Sequence, residues 1–174
     1  VALLSFCFGV PAAVLISQTN IVMAKQLRWL LMLPLAMPAY LVAYLYTDLF
    51  DYAGPVQRLL RAWFNWQSPN DYYFFDIRTL GGAAIVISLV MFPYVYMLTR
   101  TAFEQQDRNL LRASRLLGCS ERQSFYKIAL PLARPAIAIS LTLVIMETLA
   151  DFATVQYFAV NTLTTAIYDT WLGY

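Results

Sequence analysis

Two stretches of this chain run for the thickness of a bilayer without a charge. Trp29 to Tyr46 is 18 residues long and Leu80 to Thr99 is 20, and neither holds an Asp, Glu, Lys or Arg. As helices at ~1.5 Å per residue they cover about 27 and 30 Å, the thickness of a hydrocarbon core. In such a solvent every backbone polar group needs an internal partner, which a helix supplies. Composition agrees with this constraint: 60% of the 174 residues are apolar and 13% are charged, against about 25% charged in a soluble domain. The expected fold is all-α and integral to a membrane, a multi-span helical bundle.

Two further apolar segments bring the expected count to about four spans. Residues 1–17 are uncharged, and a segment from Pro135 stays uncharged to Met146 before Glu147 and Asp151. The expected spans are therefore 1–17, 29–46, 80–99 and 135–151. Charge placement sets their direction. Residues 18–28 hold Lys25 and Arg28, and residues 100–134 hold seven more basic residues, so nine of the twelve lie in two loops separated by two spans. Both loops then face one side, which the positive-inside rule makes cytoplasmic. The first segment lacks a basic leader and does not read as a signal peptide. Both termini read as cuts in a longer subunit.

Other residues close off whole classes of chemistry. There is no His, and Cys7 and Cys119 lie far apart, so a disulfide framework and a zinc site are both disfavoured. Lack of His also removes the commonest general base and the partner of a Ser or Cys nucleophile. No Gly precedes a Lys, so the chain has no phosphate-cradling Walker loop, and any ATP must bind to another chain. The net charge of +2 is too small to indicate a nucleic-acid partner.

Residues 47–79 form the expected outer loop. Its Trp63, Trp66, Tyr72, Tyr73, Phe74 and Phe75 suit a headgroup belt, and Pro69-Asn70-Asp71 signals a turn. Arg58 and Arg61 with Val56, Leu59, Leu60 and Phe64 predict a short interfacial amphipathic helix. Pro34, Pro38 and Pro93 fall inside the two central spans, where a kink near a translocation path is one reading and ordinary membrane-helix tolerance another. Gly81-Gly82 reads as a helix-packing site.

The most informative polar stretch is RNLLRASRLLGCSERQSFYKIALPLARP, residues 108–135. Leu110, Leu111, Ser114 and Leu117 recur at helical spacing, and Gly118 suits the end of a first short helix. Ser120 with Gln123 predicts a capping box opening a second helix, which Pro131 is expected to end. Periodicity alone favours an amphipathic hairpin held by anionic lipid, since basic amphipathic helices bind lipid readily.

The spacing of this stretch resembles the cytoplasmic coupling loop of ABC importer permeases. That pattern reads Glu-Ala-Ala, three residues, Gly, nine residues, Ile, one residue, Leu-Pro. Here Arg112-Ala113-Ser114, Gly118, Ile128, Leu130 and Pro131 stand at those positions. Arg112 replaces the leading Glu and Ser114 the second Ala, so the usual contact of that Glu is not carried over to Arg112. Residues 33–61, 76–103 and 146–171 resemble the amino-terminal half of ferric-iron permeases, and the likeness covers nearly the whole chain. It implies a bundle of the ABC importer permease type in a bacterial inner membrane, present here as a fragment. It also implies a nucleotide-binding ATPase subunit that hydrolyses ATP-Mg, a periplasmic binding protein and a second permease half as partners. The chain itself would hold no cofactor and perform no catalysis.

Glu147 and Asp151 are the ionisable residues nearest a membrane interior. Four residues apart, they are expected on one helix face with Leu143 and Thr154. There they either line a path for a hard cation or mark the outer end of the helix. No firm metal site is legible. The alternatives to an iron(III) permease are an ABC permease for another small solute, a channel or secondary transporter working without an ATPase, and an integral-membrane enzyme.

Overall fold

The computed structural model describes residues 1–18, 23–66, 71, 72, 74 and 76–173, and all the regular structure among them is helical. The helices are α1 (Ala2–Gln18), α2 (Ala24–Leu30), α3 (Ala39–Phe50), α4 (Pro55–Phe64), α5 (Leu80–Glu104), α6 (Arg108–Leu116), α7 (Glu121–Ser124), α8 (Leu130–Ala150), α9 (Ala153–Tyr157) and α10 (Leu163–Leu172). A 3₁₀ turn, Leu33–Ala36, follows α2, and a π-helical turn, Phe125–Ala129, joins α7 to α8. Two of these helical stretches are long and apolar enough to cross a membrane, Leu80–Glu104 and the continuous Glu121–Ala150. A third counts if the pieces on either side of Pro38 form one broken span. The apolar α1 has 17 residues and reaches about 26 Å, close to a full crossing.

The expected span at 29–46 is not one helix. Residues 24–36 and 39–50 are separate pieces, divided at Met37-Pro38, where Pro38 is extended with ψ 141° and caps α3. Proline has no N–H to give the preceding turn, and its ring pushes the residue before it out of the helical region. The expected span at 135–151 also changes, since its helix begins much earlier and runs through Pro131 and Pro135. Pro131 therefore does not end the second helix of the loop. The wide π-helical turn just before it, closed by Leu130 N–H to the Phe125 carbonyl, relieves the contact a proline ring makes with the carbonyl four residues back. Pro93 lies within an unbroken α5.

The chain divides into two compact units, one of residues 1–36 and 91–146 and one of 37–90 and 147–174. In the first, Ala13, Ile16, Phe92 and Tyr96 form a buried core, and Ala12, Leu27, Leu31 and Met32 pack against it. Gly9 lets α1 approach α5 closely: a Cβ there would sit 2.7 Å from the Val95 Cβ and 2.9 Å from the Phe92 carbonyl oxygen. An ionic bridge joins α2 to α5, with Arg28 3.2 Å from Glu104 and Arg100 bound to the same carboxylate at 3.0 and 3.1 Å.

The second unit is built on α3, α4, α9 and α10. Tyr44 of α3 meets Tyr157 of α9 edge to face at 6.1 Å. The expected amphipathic helix is present as α4, its Leu59, Trp63 and Phe64 exposed. Trp66 stacks on Phe64 at 4.8 Å and on Tyr72 at 4.6 Å, and Arg61 lies 4.1 Å over the Tyr52 ring. The Pro69-Asn70 turn, Tyr73 and Phe75 lie outside the described residues. Gly81 and Gly82 part company. Nothing crowds Gly81 closer than 3.8 Å, whereas a Cβ on Gly82 would overlap the Ile77 carbonyl, so Gly82 serves the tight start of α5 rather than packing between helices.

Candidate functional site

The stretch from Gln106 to Pro131 is a braced elbow. Asp107 caps α6 by accepting the Asn109 N–H at 2.8 Å, which satisfies one of the unpaired donors of the first turn. The other end of α6 closes with a Schellman motif. Gly118 takes φ +87° and donates to the Arg115 carbonyl, while Cys119 donates back to Ser114. A left-handed residue at this point is ordinary for Gly and strained for others. Two residues on, the expected capping box is formed: Gln123 N–H donates to Ser120 Oγ at 3.3 Å and Ser120 N–H to Gln123 Oε1 at 3.0 Å.

Side chains then lock the two arms. The Ser114 and Ser124 hydroxyls meet at 2.7 Å, both buried. Arg115 and Glu121 pair across the bend, but this pair is exposed and contributes at most about 1 kcal/mol. Gln106 Nε2 reaches 2.8 Å to the Ala129 carbonyl at the π-helical turn, and Phe103 packs its ring 5.9 Å from Phe125. A cavity of about 600 Å³ beside the elbow is lined by Val14, Gln18, Leu111, Arg115, Phe125 and Tyr126, among others.

Each residue of the expected motif has a definite place. Arg112 and Ala113 are exposed on α6, while Ser114 is buried against α7. Gly118 forms the exposed bend, while Ile128 in the π-helical turn and Leu130 and Pro131 at the start of α8 are half-buried. Leu116 and Leu117 at the tip are 90% and 85% exposed. Ser124, Gln106 and Phe103 were not singled out by sequence. Asp107 could have been, because an Asp directly before a periodic run is an N-cap signal.

Glu147 and Asp151 do not share a helix face. Helix α8 stops at Ala150, and Asp151 lies in the break before α9. Its Oδ1 accepts the Thr154 N–H at 3.0 Å, and its carbonyl accepts from Thr164 Oγ1 at 3.4 Å. The carboxylate thus starts α9 instead of continuing α8. Asp151 Oδ2 and the fully buried Thr154 Oγ1 have no hydrogen-bond partner among the described residues. Glu147 is exposed on α8. No group of three or more His, Cys, Asp or Glu side chains suited to a resident metal occurs among the described residues.

Comparison with known proteins matches residues 5–170 to the family described as binding-protein-dependent transport system inner membrane component. A ferric transport system permease of Haemophilus influenzae is 32% identical over 121 residues, 70% of this chain and 18% of the relative. A molybdenum transport system permease of Escherichia coli is 29% identical over 159 residues, 91% of this chain and 66% of the relative. A third, a molybdenum transport system permease of Bacillus subtilis, is 28% identical over 166 residues, 92% of this chain and 70% of the relative. The chain thus spans under a fifth of the ferric relatives and between about half and 70% of the molybdenum ones. With the family profile covering nearly its whole length, the chain belongs to the binding-protein-dependent transport system inner membrane components, a family of multi-span helical membrane proteins.

Proposed function

We propose that this chain is part of the permease subunit of an ATP-driven importer, and that the elbow at 106–131 receives the stroke of a separate ATPase subunit. The observation that carries this reading is the bracing of the elbow. A loop that must transmit force between a partner and a span needs two arms that move as one body. Here Ser114, Gly118, the capping box and Gln106 tie those arms together, and the π-helical turn runs directly into α8. Exposed Leu116, Leu117 and Arg112 supply the docking face. ATP-Mg is bound and hydrolysed by the partner, and this chain contributes no catalytic group.

The cargo is iron(III), delivered by a periplasmic binding protein to a bacterial inner membrane. A second permease half completes the path. The ferric relatives support this reading, and the exposed Glu147 carboxylate is of a kind suited to transient contact with a hard cation. A second reading, transport of molybdenum, is favoured by the longer alignments to molybdenum permeases.

Uptake of labelled iron and of labelled molybdenum by cells expressing the full-length subunit, with the native complex purified in parallel, tests these proposals together. An ATPase subunit in the complex and iron-dependent uptake are expected. A complex that transports without an ATPase would make the protein a channel or secondary transporter. A thiol probe that cannot cross membranes should label Cys119 in inverted vesicles and spare it in intact cells. Labelling in intact cells would put the elbow on the wrong side for any cytoplasmic motor.

A further inference from the structure

Two hydroxyls on one face of α5 are buried without a bond. Tyr96 and Thr99 are both 0% exposed, and neither Tyr96 Oη nor Thr99 Oγ1 has a hydrogen-bond partner among the described residues. Spaced three apart, they lie on the same side of the helix. Other hydroxyls of α5 avoid this cost, since Ser88 donates to the Ile85 carbonyl and Thr101 to the Met97 carbonyl, each at 2.8 Å. Arg100 lies near enough to Tyr96 for charge to act between them, but no hydrogen bond closes. A hydroxyl left unbonded in a dry interior is costly and calls for a cause.

Part of what covers this face is lightly attached. Tyr96 packs with Ala13 and Ile16 of α1, and Leu27 of α2, with Leu31 and Met32 just beyond it, lies against the same cluster. None of the seven residues of α2 is buried, and its first turn has no side-chain cap. Segments with few buried contacts open at low cost. Past α2 the chain reaches the break at Met37-Pro38, a ready hinge. The ion pair that fastens α2 to α5 is Arg28 with Glu104, at 3.2 Å. A cavity of about 370 Å³, lined by Arg28, Phe103, Glu104 and Gln106 among others, adjoins that pair and is roomy enough for water to enter.

We propose that α2 is a latched cover over the end of α5 that leads into the elbow. The Arg28–Glu104 pair holds the cover shut, and its release lets water reach Tyr96 and Thr99. Once wetted, both hydroxyls gain the partners they lack in the closed state, which lowers the cost of opening. The latch goes beyond the transport reading and requires neither its cargo nor its motor.

The test reads water access by thiol labelling. The full-length subunit, with its native partners, is placed in lipid discs with Cys7 and Cys119 replaced by Ser, and Thr99→Cys is labelled with a water-soluble methanethiosulfonate. Adding Arg28→Gln should raise the labelling rate about fivefold, and Arg28→Lys should leave it near the parent rate. Arg100→Gln should also leave it there, because Arg100 and Glu104 sit on one helix and their bond joins no second element. Both glutamine variants remove one positive charge, so a mere change in the reagent's approach would appear in both. Val144→Cys on α8, where the parent residue is 0% exposed, monitors general loosening and should keep its rate. Unchanged labelling of Thr99→Cys in Arg28→Gln would overturn the proposal. So would an equal rise in Arg100→Gln, or a parallel rise in Val144→Cys. Labelling is read without transport, so failure here and failure of the permease reading stay separate.

Discussion

Ser114 and Ser124 share one hydrogen bond, and the carbonyl beside Ser114 favours one direction for it. Ser114 Oγ already donates to the Leu111 carbonyl at 2.8 Å, and a hydroxyl has one proton. Both contacts of Ser114 are made at once when Ser124 is the donor across the 2.7 Å contact that joins α6 to α7. Ser114, which the expected loop pattern would have as Ala, is thus a strut between the two arms of the elbow.

The two serines should differ when removed. Ser114→Ala leaves the buried Ser124 hydroxyl without its acceptor and should cost about 1–3 kcal/mol locally. Ser124→Ala leaves Ser114 its bond to Leu111 and should cost nearer 1 kcal/mol. Hydrogen exchange of the α6 amides in the solubilised subunit measures both. Equal losses would overturn the assigned direction of the bond, and protection unchanged from the parent in both variants would show that the strut carries nothing.

Gly118 isolates backbone strain from packing. A Cβ there meets nothing within 4 Å, yet φ is +87°. Gly118→Val should cost roughly 1–3 kcal/mol through the backbone alone, and Gly118→Asn clearly less. If the elbow transmits the ATPase stroke, the valine variant should raise ATP hydrolysed per solute moved, and the asparagine variant should stay near the parent ratio. Unchanged coupling in the valine variant argues against the elbow as the transmitting part.

Two glycines predict opposite responses to the same change. Gly9→Ala places a methyl 2.7 Å from the Val95 Cβ, and neither that atom nor the Phe92 carbonyl can step aside freely. A loss of about 1–3 kcal/mol is expected, read as a lower thermal midpoint in detergent. Gly81→Ala meets only Thr79 Oγ1 at 3.8 Å and should be neutral or gain up to about 1 kcal/mol of helix preference.

The carboxylates can be separated by isosteric change. Asp151→Ala removes the acceptor of the Thr154 N–H and should loosen the start of α9 by about 1 kcal/mol, whereas Asp151→Asn keeps an acceptor. Equal loss of uptake in both would assign the role to charge, and loss in the alanine variant alone would assign it to structure. Glu147→Gln should lower uptake several-fold at matched expression if Glu147 lines the path. Unchanged uptake removes it from the path.

Much of the architecture was legible because its causes are local. The uncharged run at 80–99 became α5 since no other element tolerates so apolar a stretch in lipid. The amphipathic run at 56–64 became α4. Pro38 announced a disturbance, but not whether the chain would bend or break there. That depends on what packs around the freed carbonyls. For the same reason Pro131 was expected to stop a helix that in fact continues, since a π-helical turn before it leaves few traces in sequence.

What the chain alone determined is the set of bonds between residues a few positions apart: the capping box at Ser120, the left-handed turn at Gly118 and the apolar spans. These follow from side-chain chemistry and backbone sterics within one turn, which every neighbouring conformation shares. Tertiary structure decided the rest. It joined Arg28 to Glu104 and Gln106 to Ala129 across 76 and 23 positions, and moved Asp151 from a helix face to a helix break. Contacts between distant residues exist only after the loops between them have closed, and helix packing, not spacing along the chain, chooses which groups then meet.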